Sequence, residues 1–212
     1  MDRARFLALW GRCLIDDRHA SNAGEIFEQI QTRYSEPHRR YHTPEHIDHC
    51  LRQHDLAAHL MDDRDAVELA IWFHDVIYAV PTDNNERFSA EFFTKVAADS
   101  VRLGLGRKVH DMILTTEHPQ IPSKNDDKFL VDVDLSSFGL PWEEMRRDSE
   151  NVRQEFADTT DENFFAGHIR FMRMLLERPE FFATEFFRNH YESQARSNIV
   201  RLLDEFRVAG FD

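Results

Sequence analysis

The sequence predicts an all-α protein with roughly nine or ten helices. Apolar residues recur at helical spacing along nearly all of the 212 residues, and no stretch alternates apolar and polar residues for long enough to form a strand. Residues that favour helix starts also recur along the chain. These start signals are Asn22 with Glu25, Thr43 with Pro44, Pro141 and Pro179. The connections between the predicted helices are short, which favours a helical bundle.

The N-terminal segment is predicted to form the first helix of a single domain. Phe6, Leu9, Trp10 and Cys13 recur at helical spacing, and the apolar stretch is too short and interrupted for a signal peptide. No linker, internal repeat or low-complexity tract follows, so residues 1–212 are predicted to form one domain. No apolar run is long enough to cross a bilayer. Two cysteines make no disulfide framework, which is typical of a reducing compartment and predicts a cytoplasmic protein.

The charge of the chain limits its partners. A formal net charge of -13 repels phosphate backbones and anionic lipid, so we predict neither a nucleic-acid partner nor a membrane partner. A small anionic substrate is still compatible with this charge, because metal ions and local arginines can reverse the field within one cleft. Nothing in the sequence predicts the oligomeric state.

Two groups of residues in the sequence are predicted to have no catalytic role. The phenylalanines after Pro179 fall at helical spacing and are predicted to pack in the core, rather than to form a cofactor or partner site. These are Phe181, Phe182, Phe186 and Phe187. Four histidines follow no pattern and are predicted to be solvated. These are His19, His54, His59 and His168.

The stretch RRYHTPEHIDH, at residues 39–49, contains three histidines within eight positions. Thr43 as N-cap and Pro44 at the first helical position predict that a helix begins there. His42 would then precede the helix, while His46 would lie in its first turn. The two imidazoles are therefore predicted to have different roles, one as a ligand on the helix and one facing the same place from a loop.

A second polar group lies inside an apolar segment at residues 68–78. Helical spacing puts His74 on the same face as Ala70, Ile71 and Ile77, with Asp75 at the edge of that face. Burying an unpaired carboxylate is costly, and a metal ion would satisfy both side chains. The alternative is a buried histidine that is hydrogen-bonded to a local carboxylate.

A third group is Asp132 and Asp134, which lie among apolar residues in KFLVDVDLSSFG. Two residues apart on a helix cannot face the same way, so one is predicted to be a ligand and the other a surface or supporting group. Taken alone, either would be a solvated carboxylate. Together, the three groups can converge on one cation, and mixed imidazole and carboxylate ligands suit Mn, Fe, Co, Ni, Mg or Zn.

The order and spacing of these motifs resemble the HD superfamily of metal-dependent phosphohydrolases. The signature matched is His46, then His74–Asp75 after 27 intervening residues, then Asp134. A little-characterised bacterial branch is more similar still. The elements shared with it are Arg-x-Tyr-His-x-x-x-His-Ile at 39–47, Asn-Glu-x-x-Ser-Ala at 85–90 and Asp-x-Asp-Leu-Ser at 132–136. The resemblance covers about residues 34–156 and implies a single HD-type helical domain.

The resemblance implies an enzyme and assigns roles to individual residues. The metal ligands would be His46, His74, Asp75 and Asp134. A more distant similarity to cyclic nucleotide phosphodiesterases implies that His42 is the general acid for the leaving oxygen. The implied activity is metal-dependent hydrolysis of a phosphate ester or phosphoanhydride, with a small, phosphorylated, nucleotide-like substrate. A catalytically silent HD fold that senses a metal or a nucleotide is the alternative.

Two further residues are predicted to take part in catalysis. Arg39 would clamp a phosphate, because a guanidinium pairs bidentately with phosphate oxygens; the alternative is a surface arginine or an ion pair with Glu36. Related nucleotidases often carry a glutamate where this chain has Tyr78. Glu86 would replace that glutamate or reach a second metal, and the alternative is a helix-start glutamate favoured by the helix dipole.

Two histidines lie between the His-Asp pair and the late aspartate. His118, and less easily His110, would complete a second metal site. Di-iron oxygenases of the superfamily use two extra histidines in this interval. Here the two are only eight residues apart and late in the interval, so oxygenase chemistry is the less favoured alternative.

Overall fold

The computed structural model describes residues 1–16, 22–82, 84–98, 100–118 and 120–212, and within these ranges it contains ten α-helices. They are α1 (Arg3–Cys13), α2 (Ala23–Tyr34), α3 (Pro44–Ala57), α4 (Arg64–Phe73), α5 (Asn85–Ala97), α6 (Leu103–Leu114), α7 (Asn125–Leu135), α8 (Trp142–Glu155), α9 (Asp161–Glu177) and α10 (Glu185–Val208). The described residues form no strand, and an isolated β-bridge pairs Leu14 with Val101. The all-α prediction is confirmed.

The chain divides into two compact units, Met1–Asp134 and Leu135–Asp212. The organisation of residues 1–212 as one domain stays a prediction. All of the residues predicted to bind metal or substrate lie in the first unit. Among the described helices, none combines the length and the apolar composition that crossing a bilayer requires.

An aromatic cluster forms the core of the first unit. Phe6 and Trp10 of α1 contact Phe27 of α2 and Trp72 and Phe73 of α4, with ring centroids 5.3–6.3 Å apart. All five side chains are buried, and each contributes roughly 1.5–3 kcal/mol by leaving water. The C-terminal end of α4 is therefore held firmly, together with the His-Asp pair that follows it.

The predicted helix start at Pro44 is confirmed, whereas α4 is shorter than predicted. Thr43 is the N-cap of α3, with extended backbone angles, and Pro44 is at the first helical position. In contrast, α4 ends at Phe73. The last α-type bond of α4 joins the His74 amide to the Ala70 carbonyl at 2.9 Å, after which the Val76 amide turns back to Phe73. His74 and Asp75 thus lie in the turn that ends α4, not on a helix running through residue 78.

Asp126 ties the start of α7 to the start of α4. Its buried carboxylate accepts hydrogen bonds from the backbone amides of Asp62 and Asp63 at 2.8 and 3.1 Å, and from Lys108 at 2.7 Å. Asp134 follows Asp126 by eight residues, so α7 rises about 12 Å between them, which is close to the length of α4. Because α4 and α7 start at the same place and have similar lengths, Asp134 lies at the same end of the unit as His74.

The second unit is organised by polar contacts to α10. Asn198 donates both amide hydrogens, to the carbonyls of Phe138 and Leu140, each at 2.8 Å. Gly139 lies against Tyr191, where an added Cβ would come within 2.6 Å of the tyrosine Cβ. Only glycine allows this approach, so the 136–139 turn packs directly on the helix.

The predicted helix start at Pro179 is wrong, although the predicted core packing of phenylalanines is largely confirmed. The helix begins at Glu185, with Thr184 as N-cap. The Glu192 carboxylate accepts hydrogen bonds from the amides of Phe181 and Phe182 at 2.8–3.0 Å, so a side chain replaces helical bonding there. Three of the four phenylalanines are fully buried, namely Phe181, Phe182 and Phe187.

Two of the four histidines that were predicted to be solvated lie in the interior. His54 is buried, and its Nε2 donates to the Arg64 carbonyl at 3.0 Å. His168 is partly buried; it stacks on Phe164 with ring centroids 5.0 Å apart. His59 is exposed as predicted, and His19 lies outside the described residues.

We expect His168 to make the protein sensitive to acid. Burial lowers the pKa of His168 from 6.5 to about 4. As the pH falls below about 6.5, His168 becomes protonated in the unfolded chain but stays neutral in the folded chain. The free energy of unfolding therefore falls until the pH reaches about 4. Between pH 7 and pH 5, the free energy of unfolding should fall by about 1–2 kcal/mol more in wild type than in His168→Phe. Urea unfolding at both pH values measures the difference.

The control for this prediction is His190→Phe. His190 is exposed and also stacks on a phenylalanine, Phe186, with centroids 4.4 Å apart. The same change at this position should leave the acid response as in wild type. An equal response in wild type and His168→Phe would contradict the assignment to His168.

Candidate metal centre

Four side chains converge at one end of the first unit. They are His46 in the first turn of α3, His74 and Asp75 in the turn that ends α4, and Asp134 near the end of α7. Each offers one ligand atom, and these four atoms all lie within 4.8 Å of one another. His46, His74 and Asp75 are buried, and Asp134 is nearly so. These are the four residues predicted as metal ligands, and the group can hold a metal ion.

The spacing of the ligand atoms fits a single ion. His46 Nε2 lies 3.3 Å from His74 Nε2, and both lie 3.3–3.4 Å from Asp134 Oδ1. Asp75 Oδ2 lies 3.0 Å from His74 Nε2. Neighbouring atoms that each sit about 2.0–2.2 Å from one first-row ion are themselves about 3–3.5 Å apart. Two imidazole nitrogens and two carboxylates at this spacing therefore match the donor set of a divalent cation.

His74 has its ring fixed in the orientation that ligation requires. Its Nδ1 donates a hydrogen bond to the Ile71 carbonyl at 2.9 Å. A neutral imidazole that carries its proton on Nδ1 presents the lone pair of Nε2, which here faces His46 and Asp134. The backbone of the last turn of α4 thus selects the ring nitrogen that is available to an ion.

The charges of the cluster compensate one another. Burial by itself lowers the pKa of His74, but the carboxylates of Asp75 and Asp134 raise it well above its ordinary value. Burial raises the pKa of both aspartates, and His74 outweighs this, so both pKa values lie below the usual range. Without a cation, a proton on His74 offsets part of the charge of the two carboxylates. A metal ion would therefore compete with protons for this site.

Comparisons of the chain with protein-family models, with curated proteins and with solved structures give no match. The likeness to the HD superfamily therefore rests on the sequence motifs, and membership stays a prediction. The geometry of the cluster is independent of that likeness, since it follows from the contacts of the residues themselves.

His42 lies beside the cluster but outside the four-ligand group. It precedes α3, as predicted from Pro44 at the first helical position. Its side chain is 18% exposed. Its Nε2 lies 3.9 Å from Asp75 Oδ2, and its ring stacks on Tyr78 with centroids 4.0 Å apart. His42 and His46 thus occupy different settings, one at the rim of the site and one in its interior.

Arg39 does not have the geometry of a phosphate clamp. Its side chain is 0% exposed, and its guanidinium donates to the backbone carbonyls of His42 (3.1 Å), Asp75 (2.7 Å) and Val76 (3.1 Å). The ion pair with Glu36, which was the alternative interpretation, is present at 3.3 Å. These bonds leave no exposed guanidinium surface for a substrate, so the predicted direct contact is incorrect. Arg39 instead joins the loop that carries His42 to the turn that carries Asp75.

Replacing Arg39 should weaken the fold around this site. Arg39→Lys keeps the charge but cannot form the planar fork, so buried carbonyls lose their donors. We expect the free energy of unfolding to fall by about 2–4 kcal/mol, as measured by urea denaturation. Arg40→Lys makes the same change at the exposed neighbouring position and should cost about 0.5 kcal/mol or less. Equal stability of Arg39→Lys and wild type would show that these bonds contribute little.

Glu86 is partly buried in the first turn of α5. Burial raises the pKa of Glu86, and the charge of Asp75 raises it further, so the carboxyl lies within electrostatic range of the cluster. Glu86 also occupies the helix-start position of the alternative interpretation. The catalytic role of Glu86 stays a prediction.

The residues around Glu86 explain much of the Asn-Glu-x-x-Ser-Ala element. The Asn85 side chain both accepts from and donates to the backbone of Ala79, at 2.9 and 3.1 Å. Ser89 does the same with the backbone of Ile77, at 3.0 and 3.2 Å. The two side chains hold the loop after the His-Asp turn, which places Tyr78 against His42.

Two histidines were predicted to be able to complete a second metal site, and the structure separates them. His118 is buried, with Nε2 2.9 Å from Asp134 Oδ2. His110 lies on α6 with Nδ1 3.1 Å from the side chain of Asp111, and it is not among the four residues of the cluster. Within the described residues, that cluster is the group identified as able to hold a metal ion.

Tyr34 supports the site, and this role could not be predicted from the sequence. Its buried hydroxyl accepts a hydrogen bond from the Asp75 amide at 3.2 Å and donates to the Trp72 carbonyl at 3.4 Å. In the sequence, Tyr34 is one more large residue on the buried face of α2, which predicts packing only.

Proposed function

We propose that the protein is a metal-dependent hydrolase of phosphate esters or phosphoanhydrides and a member of the HD superfamily. The observation that carries this proposal is the group of two imidazoles and two carboxylates within 4.8 Å, with a third imidazole at its rim. A structural ion pair would not need three histidines at one point. A hydrolytic centre needs ligands for an ion and a separate group that handles protons.

The ligand set indicates the class of ion. Mixed imidazole and carboxylate donors suit Mn, Fe, Co, Ni, Mg or Zn. When bound, such an ion would supply Lewis acidity toward a phosphoryl oxygen and lower the pKa of a water molecule. The protein residues His46, His74, Asp75 and Asp134 would hold it, and their burial excludes bulk water from most of its surroundings.

His42 is proposed to carry the proton that the leaving oxygen takes. It is partly exposed, so a substrate at the rim can reach its Nε2. Its Nε2 lies 3.9 Å from Asp75 Oδ2, so the imidazole is next to the proposed ligand group. The stack on Tyr78 and the bond from Arg39 to the His42 carbonyl limit the motion of the ring and of its backbone. These contacts fit a general acid that must hold one orientation.

Glu86 is proposed as the second group that handles protons. Burial raises the pKa of this carboxyl, which improves its match to proton transfer near neutral pH. It would accept a proton from water that approaches the cluster. The substrate is proposed to be small, because the net charge of -13 disfavours a polymeric anion. The resemblance to the HD superfamily implies that it is nucleotide-like.

A hydrolysis screen with the metal-loaded protein tests the proposal. The full chain is loaded in turn with Mn, Fe, Co, Ni, Mg and Zn and assayed with phosphate monoesters, diesters and anhydrides. We expect metal-dependent release of phosphate or of a phosphomonoester, and loss of that activity in Asp134→Ala. If the metal-bound protein turned over none of these substrates, the silent sensor would become the better interpretation.

A further inference from the structure

The two carboxylate oxygens of Asp134 face different partners. Oδ1 is directed at the imidazoles of His46 and His74, at 3.3 and 3.4 Å. Oδ2 accepts a hydrogen bond from Nε2 of His118 at 2.9 Å. One oxygen therefore points into the ligand group, while the other is occupied by a donor on the opposite side. The pair of contacts fixes the rotation of the carboxylate about its Cβ–Cγ bond.

The backbone of His118 is in an unusual conformation. Its φ of 55° and ψ of 27° are left-handed, and among the described non-glycine residues it is the one with a positive φ. Glycine or asparagine adopts this conformation at lower cost than histidine does. The turn alone would therefore favour either of those residues, and the histidine is explained by what its side chain reaches. Strained backbone of this kind is often found at functional sites.

Three hydrogen bonds hold the segment before His118. Thr115 and Thr116 donate hydroxyl hydrogen bonds to the carbonyls of Met112 and Ile113, each at 2.7 Å, at the end of α6. The His118 amide closes the short turn by donating to the Thr115 carbonyl at 3.2 Å. The ring itself is buried, so the backbone turn and the surrounding residues together fix the position of the imidazole.

We infer that His118 is a positioning residue that orients Asp134, so that this carboxylate ligates the ion through Oδ1 alone. The inference rests on the proposed metal site and adds to it the residue that sets the mode of ligation. Outer hydrogen-bond partners of metal ligands typically contribute 10–100-fold in affinity. His118 contributes to the affinity for the ion through Asp134, without contacting the ion or the substrate.

The test measures Zn²⁺ affinity by competition with a chromophoric chelator, for the full-length protein and three variants. His118→Gly and His118→Asn suit the left-handed backbone but cannot reach Asp134 as the imidazole does. His118→Gln keeps an N–H donor of similar reach, although glutamine suits this backbone less well. We expect about 10–100-fold weaker Zn²⁺ binding for the glycine and asparagine variants, and near wild-type binding for the glutamine variant.

Thermal midpoints of the metal-free proteins separate positioning from packing. If His118 served only the fold, affinity would follow stability, and the glutamine variant would bind no better than the asparagine variant. Affinity equal to wild type in His118→Gly would overturn the inference and leave the metal site intact. A fall from two bound Zn²⁺ ions to one would make His118 a ligand of a second ion instead. A wild-type protein that bound neither Zn²⁺ nor any of Mn, Fe and Ni would overturn the proposed metal site together with the inference.

Discussion

His74→Ala should leave the purified protein with almost no bound metal, whereas wild type should hold at least one first-row divalent ion per chain. The substitution removes the ring whose Nε2 lies within 3.0–3.4 Å of the other three ligand atoms. The loss of affinity should exceed the 10–100-fold that is typical of outer hydrogen-bond partners, because a direct ligand is lost.

Elemental analysis after loading with Mn, Fe, Ni and Zn measures this difference. Thermal unfolding gives a second readout, because an ion that binds only the folded state stabilises it by about 2.7 kcal/mol at 100 times its Kd. For a chain of this size, that corresponds to roughly 5–10 °C in Tm. The rise should occur in wild type and be absent in His74→Ala.

His54→Ala is the matched control for the metal experiment. His54 is also a buried histidine of the first unit, but it contacts Arg64 and Asp55 and not the cluster. Its removal should lower stability and leave the metal content unchanged. Near-zero metal in both wild type and His74→Ala after loading with all four metals would refute the metal site.

His42→Ala should lower turnover by about a hundredfold to ten-thousandfold while the metal stays bound. A positioned general acid typically contributes this much. The four ligands are untouched by the change, because His42 precedes α3 and lies 3.9 Å from the nearest carboxylate of the cluster. The fold should also survive, since the side chain is partly exposed and belongs to a loop.

The dependence on the leaving group distinguishes proton donation from a general loss of shape. An activated aryl phosphate needs no proton on its leaving oxygen, so His42→Ala should lose less activity with it than with an alkyl ester. Asp134→Ala, assayed beside it, should lose both metal and activity. His59→Ala removes an exposed histidine and should change neither. If His42→Ala also lost its metal, His42 would be a ligand and its proposed role would be incorrect.

Features decided within a few residues could be predicted from the sequence. The start of α3 follows from Thr43 and Pro44, because proline fixes its own φ and needs no hydrogen-bonded amide at a helix start. That local rule separated His42 from His46. The all-α class follows in the same way from helical spacing of apolar residues. The four candidate ligands could be predicted because their order and spacing resemble a known signature, and the structure brings these residues together.

Features decided by distant contacts could not be predicted in this way. Arg39 looked like a phosphate clamp, yet its buried guanidinium bonds to carbonyls of residues 75 and 76, more than thirty positions later. The end of α4 at Phe73 and the left-handed His118 are also set by what surrounds them. A buried donor must find an acceptor, because leaving either group unpaired is costly. The sequence shows which donors exist, but only the tertiary structure decides which acceptors they meet, and this determines whether a side chain serves substrate, metal or fold.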